Sequence, residues 1–134
     1  MAENLFQLEI ITPERIFYQG EAHMVEFTAV DGRMGVYKDH IPLTTVLAPG
    51  ILCIKEAEGE KQAALHEGFV KILPEKIIIL AEAVEWPHEI DEARAISAKE
   101  RAESRLSDAS GTIDVARAKI ALQRALVRLE VKGK

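Results

Sequence analysis

Residues 91–106 read DEARAISAKERAESRL, and they decide the fold because the sequence changes here from strand-like to helix-like. Alanine, arginine, glutamate, lysine and serine make up most of this stretch, a mixture that favours an α-helix. Asp91 is placed to cap the amino end of the helix, and Glu92 suits its first turn. Pro87 ends the preceding segment, since proline fixes φ and lacks a donor. A C-terminal helical region is therefore predicted to begin just after this proline.

The same pattern returns 23 residues later, in residues 114–129, which read DVARAKIALQRALVRL. Nine of the sixteen aligned positions are identical: one Asp, four Ala, three Arg and the final Leu. Ancestral duplication and convergence on an alanine-rich helical composition explain this repeat equally well. A second helix is predicted from about Ile113 or Asp114 to Val131, after a tight connection at residues 107–111. Because short connections favour antiparallel neighbours, the two segments predict a helical hairpin.

One face of each predicted helix is apolar and is lined largely by alanine. The second helix has the heptad-spaced positions Val115, Ala118, Leu122, Ala125 and Leu129, and the first has Ala95, Ala98, Ala102 and Leu106. Such faces let helices approach closely but bury little area, and burial stabilises by only about 25 cal/mol per Å². We therefore expect a marginally stable hairpin that depends on docking against the rest of the chain and is a candidate mobile element.

Residues 1–86 differ in kind, because short β-rich segments alternate there with turn residues. Pro13 marks one turn, Asp31-Gly32 is a good hairpin dipeptide, and Glu58-Gly59-Glu60 marks a later turn. Strands are predicted at residues 8–11, 15–18, 23–30, 50–55, 62–66, 68–73 and 76–83. Many short strands with close turns indicate an antiparallel sandwich or flattened barrel. The predicted fold is α+β, with an N-terminal antiparallel β sandwich over residues 1–86 and a C-terminal antiparallel two-helix hairpin over residues 87–134.

Composition excludes several classes of function. The 134 residues carry 17 basic and 22 acidic side chains, and this net charge of −5 argues against nucleic acid as the main partner. Cys53 is the single cysteine, which excludes an internal disulfide and a multi-cysteine metal site. The four histidines share no metal-ligand spacing, so no metal site is predicted. Because the sequence shows neither a bilayer-spanning apolar run nor a signal peptide, we expect a soluble, intracellular protein.

No catalytic constellation is visible in the sequence. It lacks a Gly-x-Ser-x-Gly elbow and a His-Glu-x-x-His helix, and its carboxylates are spread over predicted strands and turns. We therefore predict a regulatory and structural protein rather than an enzyme. A small enzyme with an unrecognised carboxylate site is the remotest alternative.

Arginines recur along one face of each predicted helix. They are Arg94, Arg101 and Arg105 on the first, and Arg117, Arg124 and Arg128 on the second. A solvated cationic face is the simpler interpretation, whereas two arginine faces flanking an anion would suit phosphate oxygens. Charge is also uneven, because residues 1–86 have a net charge of −7, residues 87–134 of +2 and residues 115–134 of +5. The last helix is therefore predicted to meet an acidic partner or an anionic ligand.

Taken together, the order of these elements and several local motifs resemble the epsilon subunits of bacterial F-type ATP synthases, the counterparts of the mitochondrial delta subunit. The motifs are residues 11–14 (ITPE), 31–43 (DGRMGVYKDHIPL), 68–72 (GFVKI) and 90–95 (IDEARA), the last matching the family's Ile/Leu-Asp-x-x-Arg-Ala nucleotide motif. The resemblance covers nearly the whole chain. It implies a ten-stranded β sandwich and a helical hairpin, in a non-catalytic rotor subunit of the central stalk that couples rotation to proton transport.

The resemblance also implies partners. The sandwich would contact the gamma subunit and the membrane ring of c subunits, with Arg33 and His40 at the ring contact. Relatives often carry Glu where this chain has Arg33, so charge pairing there is expected to differ. An extended hairpin would inhibit ATP hydrolysis by reaching the alpha and beta subunits, and its contacts to the beta subunits would be Arg117, Lys119, Arg124 and Arg128. The chain would then lie peripherally on the cytoplasmic face of the bacterial cell membrane, without inserting into it.

ATP is the regulatory ligand that the resemblance implies, and it would stabilise the folded hairpin. The matching residues are Glu85, Ile90, Asp91, Arg94, Ala95, Arg101, Arg124 and Arg128. Contacts to both helices would favour the folded state, and low ATP would release the inhibitory one. The resemblance leaves open whether Mg²⁺ accompanies the nucleotide. A free-standing ATP-sensing module is the alternative from a different class.

Overall fold

A computed structural model describes residues 4–108 and 114–133, and it confirms the predicted α+β fold. The strands are β1 (Phe6–Ile11), β2 (Ile16–Ala22), β3 (Met24–Ala29), β4 (Gly32–Val36), β5 (Leu43–Leu47), β6 (Gly50–Glu56), β7 (Gly59–Ile72) and β8 (Lys76–Glu85). One turn of 3-10 helix, Pro87–Glu89, leads to α1 (Glu92–Leu106), and α2 is Val115–Lys132. The predicted connection at residues 107–111 lies mostly outside the described residues, as does Ile113, the earlier of the two predicted helix starts.

The described strands form one hydrogen-bonded sheet that closes on itself. Its order is β2-β1-β8-β7-β5-β3-β4, and β6 pairs with both β3 and β7. Since β5 also pairs with β3 and β7, these four strands form a closed ring of pairs. The neighbouring strands run antiparallel, except that β1 and β8 pair in parallel, with Leu8 opposite Ile77.

The described strands number eight rather than the ten that the resemblance implied. One reason is that β7 runs through 14 residues where two shorter strands were expected. Separately, β4 and β5 were not predicted from the sequence. β4 contains two glycines in five residues, which weakens a strand pattern. β5 lies between Pro42 and Pro49, and flanking prolines favour a loop.

Strand β7 changes partners at Glu67 and Gly68. Its residues up to Leu65 pair with β6, and from Gly68 onward they pair with β5. Both residues have positive φ, 45° at Glu67 and 154° at Gly68. A Cβ at position 68 would lie 2.2 Å from the carbonyl oxygen of Leu80, so glycine is required. The distortion places the Glu67 side chain beside α2, which matters for the site described below.

Alternating apolar side chains fill the sandwich, as the strand period of two requires. On β1 these are Phe6, Leu8 and Ile10, which are at most 2% exposed. Trp86 closes the end of this core by stacking on Phe17, with the ring centroids 4.3 Å apart. Because Trp86 directly follows β8, this stacking attaches the start of the hairpin to the sandwich core.

The two helices begin with the same capping device. The Asp91 side chain accepts a 3.1 Å hydrogen bond from the backbone N–H of Arg94, and Asp114 accepts one of 3.2 Å from that of Arg117. Each aspartate thus satisfies one of the unpaired donors of its first turn. The predicted cap at Asp91 is confirmed, and the 23-residue repeat places Asp114 in the same role on α2.

The hairpin packs through alanines and docks through α2. Ala95, Ala102, Ala118 and Ala125 are buried, as predicted, whereas Val115 is 51% exposed because α2 begins there. Val127 and Val131 of α2 pack with Ala64 of β7 and with Ile90 in a small separate core. No helix among the described residues is long and apolar enough to cross a lipid bilayer.

Candidate functional site

A cleft of about 240 Å³ opens where the 3-10 turn, the start of α1 and the end of α2 meet. We call it the Asp91 cleft. It is lined by Glu85, Glu89, Asp91, Arg94, Ala95, Ala98, Arg101 and Arg128. The two alanines present little side chain, so the charged groups around them face open space. Three guanidinium groups and three carboxylates therefore surround one concave surface.

Glu85 is the central acid of the Asp91 cleft. Its Oε1 accepts hydrogen bonds from Nε of Arg128 at 2.7 Å and from Nε2 of His66 at 2.8 Å. His66 is buried, so the carboxylate links the interior of the sandwich to α2. Burial alone would raise the pKa of Glu85, but the hydrogen bonds from His66 and Arg128 outweigh it and lower the pKa to about 2. Glu85 is therefore ionised at any physiological pH.

Glu89 is paired with Arg15, which does not line the Asp91 cleft. The two side chains form a bidentate pair with both N–O distances at 2.8 Å, and Oε1 of Glu89 also accepts from the Trp86 N–H. The hydrogen bond from Arg15 lowers the pKa of Glu89, and the same bond raises the pKa of Arg15. The negative charge of Glu89 is thus already neutralised from outside the cleft.

Arg94 and Arg101 differ from Arg128, whose guanidinium is paired with Glu85. Across residues 4–108 and 114–133, neither group forms a side-chain hydrogen bond or salt bridge with another residue. Both side chains are exposed on one face of α1. Guanidinium forks match phosphate oxygens, so this cleft can accept an anion that bridges α1 and α2.

The structure brings together six of the eight residues predicted to bind ATP: Glu85, Asp91, Arg94, Ala95, Arg101 and Arg128. Ile90 is instead 4% exposed and belongs to the small core beneath α2. Glu89 and Ala98 line the cleft but were not predicted. The pairing of Glu89 with Arg15, 74 residues away, leaves no local signal in the sequence.

Arg124, the eighth predicted residue, lies in a different cleft. Its Nη2 is paired with Oε1 of Glu67, and the two residues line a second cavity at the start of α2. We call this cavity, of about 750 Å³, the Asp114 cleft. Arg124 and Arg128 are one helical turn apart, yet glutamates on two different strands hold them.

The residues predicted to contact the ring of c subunits do not form one cluster. Arg33 lies near the start of β4, and its guanidinium donates to the carbonyl of Ile51 and to Thr28 Oγ1. Val127 of α2 lines the same cavity as Arg33. His40 lies beyond the other end of β4, with its Nδ1 2.9 Å from the carbonyl oxygen of Ile41. Arg33 thus faces the hairpin side of the sandwich.

The four basic residues predicted to contact the beta subunits divide into two pairs. Arg117 and Lys119 are exposed near the start of α2. Arg124 and Arg128 are held by the glutamates of the sandwich, with about a third of each side chain exposed. In this folded arrangement the second pair is therefore occupied.

Two family models match the chain in succession. The first, ATP synthase, Delta/Epsilon chain, beta-sandwich domain, covers residues 5–87, and the second, ATP synthase, Delta/Epsilon chain, long alpha-helix domain, covers residues 88–133. The chain belongs to the ATP synthase delta/epsilon chain family. Membership agrees with the resemblance noted in the sequence and with the arrangement of sandwich and hairpin.

Individual relatives of this delta/epsilon chain match almost end to end. The ATP synthase epsilon chain of Caldanaerobacter subterraneus is 43% identical and covers 98% of this chain and 96% of its own length. That of Shouchella clausii is 47% identical over 93% of this chain and 92% of its own. A chain in a Euglena gracilis mitochondrial ATP synthase structure has a TM-score of 0.84 at 22% identity, covering 98% of this chain and 82% of its own, which shows a shared fold.

Proposed function

We propose that this chain is a non-catalytic rotor subunit in the central stalk of an F-type ATP synthase. It couples rotation to proton transport and restrains ATP hydrolysis through its hairpin, whose folded state ATP stabilises. The observation that carries the proposal is the pairing of Arg124 with Glu67 and of Arg128 with Glu85. These pairs sequester cationic groups that an extended hairpin would present to acidic surfaces of the alpha and beta subunits.

The energetics of docking suit a switch. Each Arg–Glu pair is partly exposed, and pairs of this kind contribute about 1 kcal/mol or less. The apolar contact between α2 and the sandwich is small, since it centres on Val127 and Val131. A ligand present at 100 times its Kd stabilises the state that binds it by about 2.7 kcal/mol. ATP binding therefore has enough free energy to decide between docked and released hairpins.

The Asp91 cleft supplies the differential contact that such a switch needs. Arg94 and Arg101 come from α1, Arg128 comes from α2, and Glu85 comes from the sandwich. A nucleoside triphosphate bound there contacts both helices only when the hairpin is folded and docked. Because a ligand shifts an equilibrium only by its difference in affinity between the two states, this geometry favours the folded state.

An exposed apolar patch on the sandwich fits a protein partner. Val46, Phe69 and Leu80 lie opposite one another across β5, β7 and β8, and they are 55%, 44% and 38% exposed. Apolar side chains that adjoin in this way mark interaction surfaces. We assign this patch to the contact with the gamma subunit. The sandwich would then lie beside the membrane ring of c subunits, on the cytoplasmic side of the membrane.

ATP hydrolysis by the assembled complex tests the proposal. We expect the double variant Glu67→Gln/Glu85→Gln to inhibit hydrolysis more strongly than the wild-type chain, because it releases the arginines of α2. Glu58→Gln is the control, since Glu58 is exposed in the turn between β6 and β7. A chain truncated after Trp86 should raise hydrolysis. Unchanged rates in both cases would remove the inhibitory role, and failure of the chain to recover gamma in a pull-down would favour the free-standing module.

A further inference from the structure

The Asp91 cleft has a counterpart at the other end of the hairpin. Its six helix residues are Asp91, Arg94, Ala95, Ala98, Arg101 and Arg128. Adding 23 to the numbers of the first five gives the equivalent positions in the second half of the repeat: Asp114, Arg117, Ala118, Ala121 and Arg124. Subtracting 23 from the number of Arg128 gives Arg105 in the first half. All six of these residues line the Asp114 cleft. An antiparallel pair of helices has a local twofold axis, so a repeat along the pair generates two related clefts.

We propose that the Asp114 cleft is a second anion site, which takes the polyphosphate group of a nucleotide or inorganic triphosphate. Arg105 and Arg117 are exposed, and among the described residues no side-chain hydrogen bond or salt bridge engages either guanidinium. Arg124 is paired with Glu67, yet its Nε is buried with no hydrogen-bond partner in the described part of the chain. Donors thus converge from both helices, as they do in the Asp91 cleft.

Charge suits the Asp114 cleft to an anion. Three arginines face Asp114 and Glu67 there, a formal charge of +1. The Asp91 cleft has a similar balance, because Arg15 neutralises Glu89, one of its three carboxylates, from outside. Asp114 caps α2 as Asp91 caps α1, so each cleft also adjoins the positive end of a helix. The second cleft therefore has the positive charge that phosphates require.

The sandwich breaks the symmetry between the clefts. In the Asp91 cleft, Glu85 comes from β8 and is hydrogen-bonded to His66. In the Asp114 cleft, the glutamate comes from β7, where the positive φ of Glu67 turns it toward α2. The second cleft is also larger, about 750 Å³ against about 240 Å³. It therefore accepts an extended polyphosphate without requiring recognition of a base.

The test is a titration of the ¹⁵N-labelled full chain with inorganic triphosphate and, separately, with ATP, followed by NMR. We expect triphosphate to shift the amides of Arg117 and Ala118 and the side-chain signals of Arg105. In Arg105→Gln/Arg117→Gln, the shift of the remaining reporter, the Ala118 amide, should need at least tenfold more triphosphate. The matched variant Arg94→Gln/Arg101→Gln should leave them within about twofold, while it abolishes shifts around the Asp91 cleft.

The outcomes separate this proposal from the proposed function. If triphosphate leaves the signals of Arg105 and Arg117 unmoved, or if the Ala118 shift is unchanged in Arg105→Gln/Arg117→Gln, the second site does not exist. If ATP leaves the Asp91 cleft unmoved while triphosphate and ATP both move the Asp114 cleft, the ATP switch fails and the second site stands. All four arginines are exposed, so circular dichroism should show a folded chain in both double variants.

Discussion

Nε of Arg128 donates a 2.7 Å hydrogen bond to Oε1 of Glu85, the same oxygen that accepts from Nε2 of the buried His66. One carboxylate oxygen therefore connects the sandwich interior with the last helix. Removing either partner would leave a partly buried charge without compensation, which costs more than the bond itself contributes. This contact makes Glu85 both a docking residue and a member of the Asp91 cleft.

The stabilising effect of Glu85 is predicted to disappear in acid. Its pKa is about 2 in the folded chain against an ordinary value of 4.5, so its contribution is fully present above pH 4.5 and is lost as the pH falls toward 2. Urea unfolding of the wild type and Glu85→Gln should show a difference in the free energy of unfolding that is largest near pH 7. That difference should shrink below pH 4.5. A gap that stays constant down to pH 3 would contradict the ionic role of Glu85.

The separation of Arg124 from Arg128 predicts unequal effects on ATP binding. Arg128→Gln removes a charged donor from the Asp91 cleft, and hydrogen bonds to charged groups are worth about 1.5–3 kcal/mol. We expect roughly tenfold weaker ATP binding or more by calorimetry, since about 1.4 kcal/mol corresponds to a factor of ten. Arg124→Gln should have the smaller effect, because Glu67 holds Arg124 in the other cleft. Equal losses would mean that Arg124 also contacts the nucleotide, either by moving into the Asp91 cleft or from its place in the Asp114 cleft.

Some features of the site could be predicted from sequence because they are local. The aspartate caps at positions 91 and 114 and the buried alanine faces depend on residues three or four positions apart. The partner of Arg124 could not be predicted in this way, because Glu67 lies 57 residues away in the sequence. It shares a helix face with Arg128, but their Cα atoms are about 6 Å apart along the axis, and long side chains can then reach different strands. The kink at Glu67 decides which strand supplies the partner.

The strand β7 kink is predicted to tolerate no side chain at position 68. Gly68→Ala places a Cβ 2.2 Å from the carbonyl oxygen of Leu80 at a φ of 154°. We expect it to lower the free energy of unfolding by about 2 kcal/mol or more, as strained backbone and overpacking together cost. Gly59→Ala is the control, because a Cβ there meets nothing within 4 Å. Similar urea midpoints for the two variants would show that the strand relaxes without cost.

Asp91 has two roles that substitution can separate. Its side chain caps α1 through the Arg94 N–H, and its carboxylate also lines the Asp91 cleft. Asp91→Ala should lose the cap, destabilising α1 by about 1 kcal/mol, as should Asp114→Ala for α2. Asp91→Asn keeps a good cap but removes the charge. Amide hydrogen exchange of α1 should therefore be near wild type in Asp91→Asn and faster in Asp91→Ala. If ATP affinity falls equally in both Asp91 variants, the carboxylate itself serves the ligand; if it falls only in Asp91→Ala, helix capping is its whole contribution.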